Sequence, residues 1–170
     1  MKKKHDVVII LFGSNDATLK ELSKQHISIE EYAENLKMMI KRLREKNPQV
    51  CILLLSPPPL HASDREAYGR SMGYEEPVVQ TKDSVTSSYA HVCQRVAREE
   101  GVAFINLWTE MTNKAKEEGE EVSLFLVDGL HFNERGNAFV ATRVTEQLSS
   151  MGFDSETMPL HQLPYREFFS

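Results

Sequence analysis

Two stretches of the chain are apolar without a break, Val7 to Phe12 (VVIILF) and Val50 to Leu55 (VCILLL). A shorter one follows at Val102 to Ile105 (VAFI). Strands covered on both faces read this way, whereas a half-exposed strand alternates apolar and polar positions. Between these runs the period becomes helical. Tyr32, Leu36, Met39, Ile40 and Leu43 recur after Ser28-Ile29-Glu30-Glu31, a capping box that serves the free N–H groups of a helix start. Asn47-Pro48 ends that helix. Val85, Tyr89, Val92, Cys93 and Val96 predict a second helix from about Lys82 to Glu100, with Gly101 where a terminating glycine belongs. Asn106 is placed to cap a short helix through Lys116, and Phe139, Val140, Val144 and Leu148 mark a last one.

The remaining segments are polar or broken. Residues 13 to 27 predict a long polar loop, and residues 60 to 80, with Gly69, Gly73 and Pro77, a long irregular excursion. "KEEGEE" reads as a solvated charge run. Residues 153–170 hold two prolines and several aromatics and predict an extension strapped over a domain that spans 1–152. Strands separated by helices imply right-handed crossovers and a parallel sheet with helices on both faces. Ligands of such sheets sit at the carboxyl ends of the strands.

Composition narrows the class. At 170 residues the chain suits one domain, and its 41% hydrophobic and 26% charged content is that of a globular protein. The net charge of −5 argues against nucleic acid or an anionic membrane as partner. No apolar run is long enough to cross a bilayer. Met1-Lys2-Lys3-Lys4 leads into too short an apolar run for a signal peptide, and Cys51 and Cys93 fit buried free thiols, so a cytoplasmic location is expected.

Two stretches at predicted carboxyl ends carry chemistry. One is "FGSND" (Phe12 to Asp16) and the other "DGLH" (Asp128 to His131). An aspartate three residues ahead of a histidine can hold the imidazole in one tautomer and stabilise its cation. The same letters also suit an aspartate capping a turn and a histidine that merely packs. Asn15 can offer its amide to a developing oxyanion, or be an ordinary turn asparagine. Asp16 reads as structural, holding the loop by accepting backbone N–H bonds. His26, His61 and His91 are scattered without ligand spacing, so no metal site is expected. Neither G-x-G-x-x-G nor G-x-x-x-x-G-K-[ST] occurs, which removes the common nucleotide-binding motifs.

Taken together, the two stretches resemble the SGNH (GDSL) hydrolases. "GSND" at 13 to 16 resembles the family's G-x-N-D block and "DGLH" at 128 to 131 its D-x-x-H block. "ILFGSNDATLK", "QHISIEEYAENLK", "NLWTEM" and "DGLHFNERGN" are most similar to the isoamyl acetate-hydrolysing esterase branch, and the resemblance covers about Asp6 to Gly152. It implies a flavodoxin-like three-layer α/β/α sandwich and a carboxylic ester hydrolase that acts on small esters without metal or cofactor. In that scheme a serine attacks the carbonyl, His131 is the base, Asp128 orients it, and Asn15 and Gly13 serve the oxyanion hole.

The chain departs from the family pattern in one respect. The family's nucleophile lies in a G-D-S block ahead of G-x-N-D, and no G-D-S triplet occurs here. Ser14 and Ser56 are alternatives without a supporting motif. The expectation is therefore a sheet that lacks the N-terminal strands and leaves "VVIILF" as an exposed edge, open to a second copy or to another partner. The alternative is a catalytically inactive relative acting as a binding or scaffold module.

Overall fold

The structure is a computed structural model and describes residues 7–21, 23–73 and 82–153. The expectations for Met1 to Lys4, for the part of the excursion around Pro77 and for a strap after residue 153 lie outside them. The elements run β1 (Val7–Leu11), α1 (Ile29–Lys46), β2 (Cys51–Leu55), α2 (Ala62–Ser71), α3 (Asp83–Glu100), β3 (Ala103–Ile105) and α4 (Leu107–Glu117). A 3₁₀ turn (Val122–Phe125) and α5 (Glu134–Ser150) complete the series.

The three strands form a parallel sheet in the order β1-β2-β3, with Val7 paired to Cys51 and Leu53 to Ala103. Because alternate side chains leave a strand on opposite faces, β2 feeds two cores. Ile52 and Leu54 join Tyr32, Leu36 and Ile40 of α1 and Tyr89, Cys93 and Val96 of α3 on one face. Leu53 and Leu55 join Leu107, Met111 and Ala115 of α4 and Phe125 on the other, where Phe139, Val140, Val144 and Leu148 of α5 close the layer. The result is the parallel sheet with helices on both faces that the alternation of strands and helices predicted, and the α/β/α sandwich that the resemblance implied. Among the described residues no helix is long and apolar enough to cross a membrane.

Local signals explain the helix ends. Ser28 Oγ accepts from the Glu31 N–H at 3.2 Å, and Asn106 Oδ1 from the Thr109 N–H at 3.0 Å. Gly101 closes α3 in the left-handed region, with φ of 60°. Both cysteines are free; burial pushes the Cys93 thiol up to about 11, so it is chemically quiet.

One expectation needs correction. Residues 62–71 of the supposed irregular excursion are helical. α2 has no apolar stripe, and its docking shows why the pattern misled: the His61 N–H, at its N-terminus, donates to the Gly129 carbonyl at 2.9 Å. The "KEEGEE" run is exposed throughout, as its charge predicted, and two of its side chains also find partners. Glu118 accepts from Arg135 on α5, and Glu121 Oε2 lies 2.9 Å from His61 Nε2.

β1 is an edge strand, with β2 on one side and no described strand on the other. α1 covers its Val8 and Ile10 face. On the opposite face Ile9 is 46% exposed, and Phe12 just beyond the strand is 55% exposed.

Candidate active site

The 128–131 turn is fixed from both flanks. Leu126 and Phe132 form an antiparallel bridge, and the Val127 N–H donates to the His131 carbonyl at 2.8 Å. Asn133 then does three jobs. Its Oδ1 caps α5 by accepting from the Gly136 N–H at 2.9 Å, while Nδ2 donates to the carbonyls of Leu124 (2.9 Å) and Leu126 (3.3 Å). Asn133→Ala removes the cap and leaves two carbonyls unpaired, so it is expected to cost about 2–3 kcal/mol. Thermal unfolding measures this directly, and a near-zero change would contradict the three-way role.

Within the turn, Asp128 and His131 meet. Oδ1 of Asp128 accepts the backbone N–H groups of Leu130 (3.0 Å) and His131 (2.8 Å), and Oδ2 lies 2.9 Å from His131 Nδ1. The carboxylate is buried and the imidazole exposed, with side-chain exposures of 5% and 69%. Burial pushes the Asp128 carboxyl upward. The hydrogen bonds from the backbone and ring of His131 and from the Leu130 N–H outweigh it, and the group lies below its ordinary value. An ionised Asp128 requires the proton of a neutral imidazole to sit on Nδ1, so Nε2 is left as the acceptor. Each reading of the letters is thus met in part: the aspartate does cap the turn and also holds the ring with its second oxygen, while the exposed histidine does not pack.

The loop after β1 carries the other residues singled out in the sequence. Gly13 is buried between the Tyr32 ring and Pro57, where a Cβ would come within 3.0 Å of the Tyr32 hydroxyl and 3.2 Å of Pro57 Cγ. Tyr32 also donates to the Phe12 carbonyl at 3.0 Å, which pins the end of β1. Asn15 is exposed, and the turn engages its backbone carbonyl, which accepts from Thr18 Oγ1 at 2.9 Å. Asp16 is half-buried. Burial raises its carboxyl above the ordinary value, offset in part by its own backbone N–H, and its carbonyl accepts from the Ile27 N–H at 3.2 Å. Gly13 abuts Pro57 and Gly129 abuts His61, so the loop after β1 and the 128–131 turn both flank the segment that follows β2.

Of the two alternative serines, Ser56 is fully buried. Its hydroxyl accepts from the Trp108 N–H at 3.2 Å and lies 3.1 Å from the Pro57 carbonyl, which commits it to structure. Ser14 is half-buried in the turn between Gly13 and Asn15. Among the described residues, no group of three or more His, Cys, Asp or Glu side chains is arranged to hold a metal ion.

Arg65, on the first turns of α2, escaped the sequence reading. Its Nη1 donates to Asp128 Oδ2 at 2.5 Å, and its side chain is 19% exposed. The two residues are 63 positions apart, and no periodicity or motif links them.

Comparison with known proteins gives a consistent picture. The profile of the GDSL-like lipase/acylhydrolase family matches residues 2–139. A GDSL esterase/lipase of Arabidopsis thaliana is 32% identical over 154 residues, covering 88% of this chain and 62% of the relative. An isoamyl acetate-hydrolyzing esterase 1 homolog of Homo sapiens is 37% identical over 135 residues, covering 78% of this chain and 51% of the relative. The chain thus spans between half and two thirds of the length of these relatives. Among solved structures, a lipase/acylhydrolase from Enterococcus faecalis superposes with a TM-score of 0.65 at 23% identity, over 86% of this chain and 62% of the other. An acetylxylan esterase from Geobacillus stearothermophilus superposes with a TM-score of 0.61 at 20% identity, over 89% and 61%.

Proposed function

The chain belongs to the GDSL-like lipase/acylhydrolase family, and from that premise we propose that it forms the acid–base half of a carboxylic ester hydrolase for small esters. One observation carries the reading: a buried carboxylate holds Nδ1 of an exposed imidazole at 2.9 Å. That arrangement leaves the Nε2 lone pair available to a hydroxyl nucleophile.

The reaction runs in two halves. Nε2 of His131 takes the proton of an attacking serine, and Asp128 stabilises the imidazolium that results. The serine oxygen bonds to the ester carbon, and the carbonyl oxygen gains charge that the Asn15 amide and the loop at Gly13 help to carry. His131 returns the proton to the leaving alcohol. Water then repeats the sequence on the acyl-serine and releases the acid. The serine belongs to a Gly-Asp-Ser segment outside these 170 residues. Two free cysteines suit a reducing, cytoplasmic setting.

A second reading has its own observation. The edge of β1 that no described strand covers, with Ile9 and Phe12 exposed, suits a binding module that meets a partner there. One assay separates the two: hydrolysis of short-chain p-nitrophenyl esters by the 170-residue chain and by a form extended with a Gly-Asp-Ser segment. Turnover in the extended form alone is expected, and it should survive EDTA. An extended, folded form without turnover leaves the binding module as the better account.

A further inference from the structure

The Asp128 carboxylate has more partners than holding an imidazole requires. The two backbone N–H groups on Oδ1 already fix its orientation, yet Oδ2 receives both His131 Nδ1 at 2.9 Å and Arg65 Nη1 at 2.5 Å. A base must be neutral before it accepts a proton. With a neutral imidazole above it, a carboxylate that is 5% exposed would be a buried charge without a counterion. Among the described residues, Arg65 supplies the lysine or arginine cation in ion-pair contact with it.

The neighbouring charged groups are engaged elsewhere. His61, at the start of α2, lies 2.9 Å from Glu121 Oε2 through Nε2 and 3.1 Å from Asp64 Oδ2 through Nδ1. Those two acids face His61 and leave the guanidinium to Asp128. The Tyr68 ring, one turn along α2, lies 5.5 Å from the guanidinium carbon and supports it from below.

We propose that Arg65 is a positioning residue of the Asp128–His131 pair: delivered by α2, its guanidinium adds to the hydrogen bonds that keep Asp128 ionised while His131 is neutral. The readiness of the base thereby depends on whether α2 is docked. This rests on the acid–base role given to the pair above. A salt bridge that merely tied α2 to the turn would hold the helix in place and leave the protonation of Asp128 to its other hydrogen bonds.

The test needs no turnover. The Asp128 side-chain carboxyl carbon is followed by NMR against pH in the full 170-residue chain, as wild type, Arg65→Gln and Arg65→Lys. Loss of the cation is expected to move the Asp128 midpoint to higher pH, and lysine to bring it back most of the way. An unchanged midpoint in a folded Arg65→Gln protein overturns the proposal. Should that variant not fold, the wild type decides: the Arg65 Nη resonances are expected to titrate together with the Asp128 carboxyl, and their indifference to it overturns the proposal equally. Failure of the hydrolase reading looks different, because the Asp128 midpoint then responds as described while the extended form turns over no ester.

Discussion

Gly129→Ala is expected to unfold about 10 °C below the wild type, or to yield no soluble protein. Gly129 has φ of 79°, and a Cβ there would lie 2.3 Å from the His61 carbonyl oxygen and 2.5 Å from the Arg65 backbone nitrogen. Both obstacles are backbone, so no flexible side chain can yield. The left-handed backbone alone costs an alanine about 1–2 kcal/mol. Moving α2 away then breaks the His61–Gly129 hydrogen bond and loosens Arg65 from Asp128, adding about 1–3 kcal/mol. At about 2–4 °C per kcal/mol for a domain of this size, the sum reaches the stated shift. Gly101→Ala is the control. It has φ of 60° and nothing within 4 Å of the added Cβ, so it meets the backbone strain alone. Equal melting temperatures for the two variants would show that α2 does not press on the turn.

The largest functional effect is expected at His131. In a form that hydrolyses esters, His131→Ala should lower kcat by about 10⁴-fold or more and leave KM nearly unchanged, because the imidazole acts in the transition state and not in ground-state binding. The side chain is 69% exposed, so its removal costs little burial, and a loss of activity is not a loss of fold. Steady-state kinetics on a p-nitrophenyl ester measure it, with circular dichroism to confirm that the variant is folded. Turnover within tenfold of wild type would remove His131 from the reaction, and with it the role given to Asp128.

How much of this was written in the sequence depends on distance along the chain. β1 and β2 were legible because Val7 to Leu11 and Cys51 to Leu55 are apolar on both faces, and α1 and α3 because their stripes keep a helical period. The Asp128–His131 contact was legible because three residues of turn separate the partners. α2 was not. Ala62 to Ser71 offers no stripe to read, since the helix is held by its N-terminal turn pressing on another loop. Arg65 was hidden for the same reason, as its partner is set by the fold alone. Nothing in the letters singled out Gly129; that its missing side chain makes room for the backbone of α2 is a tertiary fact.

The parallel register also bears on how the protein is made. Among the described strands no two are joined by a hairpin, and the pairing of Val7 to Leu11 with β2 must wait for Cys51. At about 5–20 residues per second, those 44 residues delay that pairing by roughly 2–9 s on the ribosome. Until β2 arrives, the backbone groups that it will pair stay free along five consecutive apolar residues, a ready target for chaperones. Yield on expression is therefore expected to follow chaperone supply more closely than the stability of the finished fold.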